Sequence, residues 1–424
     1  MDIGAMRING DRLRQDLLEL GRFGEIAGKG IGRTALSDAD LAARHWFKER
    51  MREGGLKVHE DAAANIIGRM DPSSGPNGEP CIATGSHIDT VAQGGKFDGA
   101  LGICAGLEAL RAIRESGHSL PCACELLVFT DEEGSHFAGT FGSRAMFDQL
   151  QEGEMEKSRG SGMASLAQDL KRMGKDPQKI AEARRSPSDL RAFLELHIEQ
   201  GPVLEEMGIP IGIVDGIVHL GRYLIRVEGK PGHAGTTPMH LRDDALIKAA
   251  GIVTAVNEVV RSAGSEIVGT IGEFRVQPGA INTIPGEVEM ALDLRSMKEE
   301  KLVFMKKQIE KWVSSTDKAS METILTKGGV RMDPEIMMAV ELSCRERGIP
   351  FHRMGSGAGH DAMTFPLVNI PAGILFIPCV GGRSHCPDED IRFEDATLGA
   401  QVLADTMVRL AFGDDLHDHS VRGG

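Results

Sequence analysis

The amino-acid sequence predicts an α/β protein in which a central mixed sheet flanked by helices is interrupted by a compact inserted domain. Three observations predict it. Short apolar runs of strand length alternate with helical segments through the first half, the pattern of a sheet covered on both faces. Near Gly216 the order becomes strand, helix, strand, strand, helix, strand over residues 222–327, the split βαβ arrangement of two helices on four strands. The first pattern then resumes. The expected division is residues 1–216 with 331–424 as one discontinuous domain and 217–330 as a ferredoxin-like βαββαβ insertion. Because domain termini often lie close together, insertion into a host loop is physically reasonable.

The elements follow in order. Residues 1–36 read as helix plus loop. Ser37-Asp-Ala-Asp40 caps a helix through Leu41–Arg50. Strands are expected at Asn65–Gly68, Cys81–Thr84 and Glu125–Thr130, with a helix over Leu101–Glu115 between the last two. A polar, helix-prone stretch near 150–190 precedes a strand at Ala192–His197. In the insertion, strands are expected at Arg222–Glu228, Ile267–Val276, Glu287–Arg295 and Glu322–Leu325, and helices at Arg242–Ala263 and Glu299–Ser314. A helix at 333–346, a strand at Ala372–Pro378 and a helix from Phe393 to Leu410 close the chain.

The 424 residues are enough for two domains with a sizeable core. A net charge of −14 with no basic block argues against nucleic acid and anionic membrane partners, and no apolar run approaches the ~20 residues of a membrane helix. The N-terminus lacks an apolar segment of signal-peptide length. Seven scattered cysteines read as reduced thiols of a cytoplasmic protein, with Cys122 and Cys124 on one strand face. His417 and His419 in the acidic tail read as solvated, and residues 413–424 as mobile.

The chemistry sits at strand ends. Glu132 and Glu133 follow the apolar strand Glu125–Thr130; neighbouring residues of extended backbone point oppositely, so one carboxylate can ligate a metal while the other handles a proton. Gly85-Ser-His87-Ile-Asp89-Thr90 puts His87 and Asp89 on one side, with Asp89 suited to orienting the histidine. Asp98 opens a helix behind Gly94-Gly-Lys-Phe97. His197 ends one strand, and His385 follows another within Gly381-Gly-Arg-Ser-His-Cys-Pro387. Taken singly, each residue is equally a turn, a cap or a solvated side chain. Together, three His, one Glu and one Asp beyond the carboxyl ends of sheet strands match two divalent ions sharing a carboxylate.

These segments resemble the M20 metallopeptidase superfamily, and within it the amidase branch of N-carbamoyl-L-amino acid hydrolases, allantoate amidohydrolases and β-ureidopropionases. The resemblance also rests on His197-Ile-Glu-Gln-Gly201, Gly232-His-Ala-Gly-Thr-Thr-Pro-Met239, Asn282-Thr-Ile-Pro285, Asp293-Leu-Arg295 and Ser356-Gly-Ala-Gly-His-Asp361. His197 stands where the peptidase branches usually carry an acidic ligand. The resemblance implies two divalent ions per subunit (Zn, Mn, Co or Ni), with His87 and His197 on one, Glu133 and His385 on the other, and Asp98 bridging. It implies that Glu132 is the general base, passing a proton from the attacking water to the leaving nitrogen, and that Asp89 supports the site. Substrate contacts are implied for Gln200, His233, Asn282 and Arg295. The insertion is implied to be a lid and dimerisation domain hinged near 215–221 and 328–332, in a homodimer whose His233 acts in trans. His136 stands where relatives often carry Arg, and His360 and Asp361 resemble a segment near the site without being read as ligands.

Allantoate-hydrolysing relatives often carry a Gln-Arg pair where this chain has Leu220 and Gly221. The expected reaction is therefore hydrolysis of an N-carbamoyl-L-amino acid to amino acid, CO2 and ammonia. Allantoate or ureidopropionate hydrolysis is the alternative, and an M20-type aminoacylase or dipeptidase the more distant one.

Overall fold

The computed structural model describes residues 6–73, 79–136, 138–158, 163–264 and 266–413; His417, His419 and the rest of the acidic tail beyond Gly413 lie outside the described residues. Two compact units form. One runs to Asp215 and resumes at Arg331; the other is Gly216–Val330.

The first unit is built on a mixed sheet. Seven of its strands lie in the order Ile211–Ile217, Ala372–Ile377, Leu190–Ile198, Cys81–His87, Cys124–Phe129, Ile66–Met70 and Lys57–Glu60, and Val330–Arg331 and Phe351–Ser356 add to the Ile211–Ile217 side. The middle four are parallel to one another and the flanking ones antiparallel. The strands Cys81–His87, Cys124–Phe129 and Ala372–Ile377 are buried along their whole length, which is why Leu126-Leu-Val-Phe129 and Ile374-Leu-Phe-Ile377 are continuous apolar runs instead of alternating ones. Helices Ala100–Glu115 and Phe393–Phe412 are buried on nearly every side, as expected of helices that lie under further layers. Helix Asp38–Glu53 starts at Ser37, whose Oγ accepts the Asp40 N–H at 3.3 Å.

The parallel order has a chemical consequence. It puts the carboxyl ends of four adjacent strands on one edge of the sheet, and the segments carrying His87, Glu132, Glu133, His197 and His385 all leave from that edge.

The insertion-like stretch 150–190 is less helical than its polarity suggests. One short helix, Leu166–Arg172, forms behind a Ser165 capping box, and 3₁₀ segments at Pro177–Ala183 and Pro187–Asp189 follow. Each 3₁₀ segment opens on a proline, which suits a first turn and cannot sit inside a longer helix.

In the second unit, strands Ile267–Gln277, Glu287–Ser296, His219–Glu228 and Ala319–Lys327 form an antiparallel sheet in that order. Val288, Met290, Leu292 and Leu294 alternate onto its buried face, where they meet Ile252 and Val256 of helix Ala245–Ser262 and Leu302, Ile309 and Val313 of helix Glu299–Ser315. The first of these helices begins three residues later than its apolar pattern suggests. Asp244 caps it, accepting the N–H groups of Leu246 and Ile247 at 3.0 and 3.3 Å. No helix among the described residues is long and apolar enough to cross a membrane. All seven cysteines are free, and all but Cys386 are buried.

Candidate metal centre

Asp98 is the geometric centre of the site. It precedes helix Ala100–Glu115 and is buried. His197 Nε2 lies 3.2 Å and His87 Nε2 3.6 Å from its Oδ1, while His385 Nε2 lies 3.3 Å from its Oδ2. The same His385 Nε2 also lies 3.3 Å from Glu133 Oε1. Two groups of ligand atoms result, His87–Asp98–His197 and Asp98–Glu133–His385, each within 4.8 Å, and Asp98 belongs to both. Glu132 belongs to neither; its Oε2 is 3.7 Å from His87 Nε2.

The backbone is shaped for this convergence. Gly99 has φ +66°, and a Cβ there would lie 2.4 Å from the His87 ring, so only glycine lets the Asp98 loop pass the histidine. The two glutamates do not sit on an extended strand, as the sequence suggested. Asp131 has φ +52° and turns the chain after Phe129, so Glu132 and Glu133 occupy a bend. Asp89 holds that bend, its Oδ1 accepting the Glu132 N–H at 3.3 Å and its Oδ2 the Glu133 N–H at 3.2 Å. Its carbonyl oxygen lies 2.9 Å from His87 Nδ1, nearer than its carboxylate at 3.8 Å. His197 Nδ1 likewise lies 2.9 Å from the Ile198 carbonyl. Both rings therefore donate through Nδ1 and keep Nε2 for the centre.

Electrostatics agree with a cation site. Burial opposes the charge of Asp98, yet His197, His385 and His87 outweigh it and hold the carboxyl well below its usual range. His385, hydrogen-bonded to Asp98 and Glu133, is pushed up to about 11. Burial lifts Glu132 well above the usual carboxylate range; Asp361, Glu133 and Asp89 add to the lift and His87 opposes it. Acids and imidazoles so compressed favour a divalent ion that replaces the protons. Glu133 Oε1 is buried, and its contact with His385 Nε2 at 3.3 Å is an ion pair without an aligned hydrogen bond, which leaves a lone pair that a cation would satisfy. The imidazole and carboxylate donor set fits Zn, Mn, Co or Ni alike.

A third cluster, Glu195–His197–His360, is less suited. His197 already directs Nδ1 at a carbonyl and Nε2 at Asp98, so neither nitrogen remains for it. His360 packs edge-on against the His197 ring at 4.5 Å, bonds Ser356 Oγ through Nε2 at 2.9 Å, and is kept neutral by burial and by the positive histidines nearby.

The remaining candidates fall in three places. Gln200, with φ +58°, donates from Nε2 to Asp98 Oδ2 at 2.6 Å, and its buried Oε1 has no donor. His233, Asn282 and Arg295 belong to the second unit. There Gly232–His233 pairs with Thr283–Ile284, and the exposed His233 accepts the Gly235 N–H on Nδ1 at 3.0 Å, which leaves Nε2 as its donor. Arg295 forks onto Asp293 at 2.8 and 3.1 Å, and Asp293 also takes Arg222 Nε at 3.0 Å. Any substrate carboxylate would have to share that guanidinium with Asp293. Ser384 is a contact that the sequence motifs did not single out, its Oγ lying 2.7 Å from Asp98 Oδ2.

His136 is no ligand. Its Nδ1 and Nε2 each lie 2.9 Å from a carboxylate, Asp131 Oδ2 and Asp169 Oδ2, tying the glutamate bend to helix Leu166–Arg172. Burial opposes its charge, but the two aspartates win and raise it from 6.5 to about 9. A raised histidine stabilises fully below its unfolded value and loses that contribution as pH rises through its folded one. We expect His136→Gln to cost about 2 kcal/mol near pH 6, after allowing for screening at the partly exposed Asp169, and little above pH ~9.5. Thermal unfolding of both proteins across that range checks it; an equal gap at both ends would contradict it.

Comparison with known proteins places these features in context. The model of peptidase family M20/M25/M40 matches residues 83–409. The chain is 39% identical to an N-carbamoyl-L-amino acid amidohydrolase of Geobacillus stearothermophilus, over 96% of this chain and 100% of that protein. It is 33% identical to a ureidoglycolate hydrolase of Oryza sativa subsp. japonica, over 95% of this chain and 85% of that protein. A solved hydantoinase/carbamoylase family amidase from Burkholderia ambifaria matches with a TM-score of 0.86 at 29% identity, covering 96% of this chain and 98% of that one.

Proposed function

The chain belongs to peptidase family M20/M25/M40, and within it we propose a metal-dependent amidohydrolase that converts an N-carbamoyl-L-amino acid and water to the L-amino acid, CO2 and ammonia. The observation that carries this reading is the pair of ligand groups sharing Asp98, with Glu132 beside them and in neither. In our reading His87 and His197 would hold one divalent ion, Glu133 and His385 would hold a second, and Asp98 would serve both. Such ions would supply Lewis-acid stabilisation for charge developing on the reacting carbonyl and would acidify water near neutral pH.

The side chains do the rest. Glu132, lifted by burial, accepts a proton from the attacking water and returns it to the leaving nitrogen. Gln200 is oriented by Asp98 and offers its unpartnered Oε1 to a ureido N–H. On the second unit, which we read as the lid and dimerisation domain of a homodimer, His233 offers an Nε2 proton to the developing oxyanion from the partner subunit. Asn282 and Arg295 serve the substrate carboxylate, Arg295 as a planar fork.

The N-carbamoyl-L-amino acid reading is favoured over a ureidoglycolate or allantoate one by identity to the relatives and by Leu220 and Gly221, which offer no side-chain donor at the start of strand His219–Glu228. Metal-loaded protein assayed on N-carbamoyl amino acids, N-acyl amino acids, dipeptides, allantoate, ureidoglycolate and ureidopropionate should release ammonia fastest from an N-carbamoyl-L-amino acid. Turnover of allantoate or ureidoglycolate alone would overturn the substrate, and turnover of dipeptides alone would overturn the reaction class.

A further inference from the structure

Glu389 lies four residues past His385 and is buried. Its carboxylate meets two backbone N–H groups and a hydroxyl. Oε1 accepts two backbone N–H groups, from Phe97 at 2.8 Å and from Asp98 at 3.0 Å. Oε2 lies 3.1 Å from Ser384 Oγ, and that hydroxyl is 2.7 Å from Asp98 Oδ2. One carboxylate therefore grips the backbone of Asp98 directly, and the Ser384 hydroxyl lies between it and the Asp98 side chain. The loop carrying Glu389 is also closed on itself, the Val380 N–H donating to the Asp390 carbonyl at 2.8 Å and the Glu389 N–H to the Cys386 carbonyl at 3.2 Å. His385, on the same loop, is thereby held at a set distance from Asp98, which is almost 290 residues away in the chain.

The opposing loop makes room for this carboxylate. A Cβ at Gly95 would come within 2.1 Å of Glu389 Cδ, so Gly95 is glycine because Glu389 passes against its backbone.

We propose that Glu389 is a positioning residue of the metal centre: it fixes Asp98 by its backbone, aims the Asp98 carboxylate through Ser384, and locks the His385 loop to both. This rests on the metal reading given above, and it adds a residue that touches neither ion nor substrate.

The test is metal affinity, measured by calorimetry with Mn or Zn on the full-length chelator-stripped protein, together with melting temperature and steady-state kinetics. Glu389→Ala leaves two buried N–H groups without an acceptor and frees the loop, and we expect affinity and kcat to fall about 10- to 100-fold. KM should stay within about twofold, because no substrate contact is lost. Glu389→Gln keeps an acceptor for both N–H groups and a partner for Ser384, so it should restore affinity to within about threefold of wild type. Ser384→Ala removes only the link to the Asp98 side chain, and should weaken affinity several-fold without shifting the melting temperature. That variant decides the matter if Glu389→Ala does not fold. Wild-type affinity in Glu389→Ala, an equal loss in Glu389→Gln, or unchanged affinity in Ser384→Ala would overturn the role of Glu389. A wild-type protein that takes up no metal would overturn the metal reading beneath it, so the two failures are distinguishable.

Discussion

Replacing Glu132 with glutamine should lower kcat by about 10²–10⁴-fold while leaving metal content and KM near wild type. The side chain is isosteric, so the shape of the bend is kept. What disappears is the ability to hold a proton between two steps. Glu132 is placed for that task by four features: burial, the Asp89 carboxylate on its backbone N–H, His87 at 3.7 Å, and exclusion from both ligand groups. A glutamate that merely filled space or held a metal would give another pattern, since loss of a ligand lowers metal content together with rate. Metal analysis and Michaelis kinetics on the same preparation separate the two. A rate within tenfold of wild type would remove Glu132 from the proton path.

The second large effect is expected at Asp98. Asp98→Asn keeps the size of the side chain and removes the charge shared by His87, His197 and His385. Both ligand groups lose their common member, so bound metal should fall below one ion per chain and activity by at least about 100-fold. The metal-free protein should also be less stable, by about 3 kcal/mol at most, because three imidazoles lose the carboxylate that balances them; deprotonation of the histidines limits the loss. Full metal content in this variant would show that the two groups do not share a bridging ligand.

Much of this was legible in the sequence, for identifiable reasons. The parallel strands are buried on both sides, so Leu126-Leu-Val-Phe129 and Ile374-Leu-Phe-Ile377 stand out as apolar runs, and glycine-rich turns mark their ends. Chemistry-bearing residues that follow such strands fall on one edge whatever the strand order, which is why His87, Asp98, Glu133, His197 and His385 could be grouped before any geometry was known. The strands that escaped detection are antiparallel or edge strands without that signature. Lys57-Val-His-Glu60 has one apolar residue, and Ile211-Gly-Ile-Val-Asp-Gly-Ile217 is interrupted by two glycines and an aspartate. The bend at Glu132 and Glu133 depends on a positive φ at Asp131, a conformation that local sequence announces only weakly for a residue other than glycine. Asp89 and Glu389 act on backbone N–H groups of distant loops, and a backbone acceptor leaves no spacing pattern to read.

Metal dependence of one reaction is the most direct consequence of a centre built on Asp98. Chelator-stripped protein should be inactive on an N-carbamoyl-L-amino acid. On titration with Mn, Co, Ni or Zn it should regain amino acid and ammonia release, saturating at two ions per chain. Full turnover by metal-free protein, or saturation without any hydrolysis of the N-carbamoyl substrate, would contradict it.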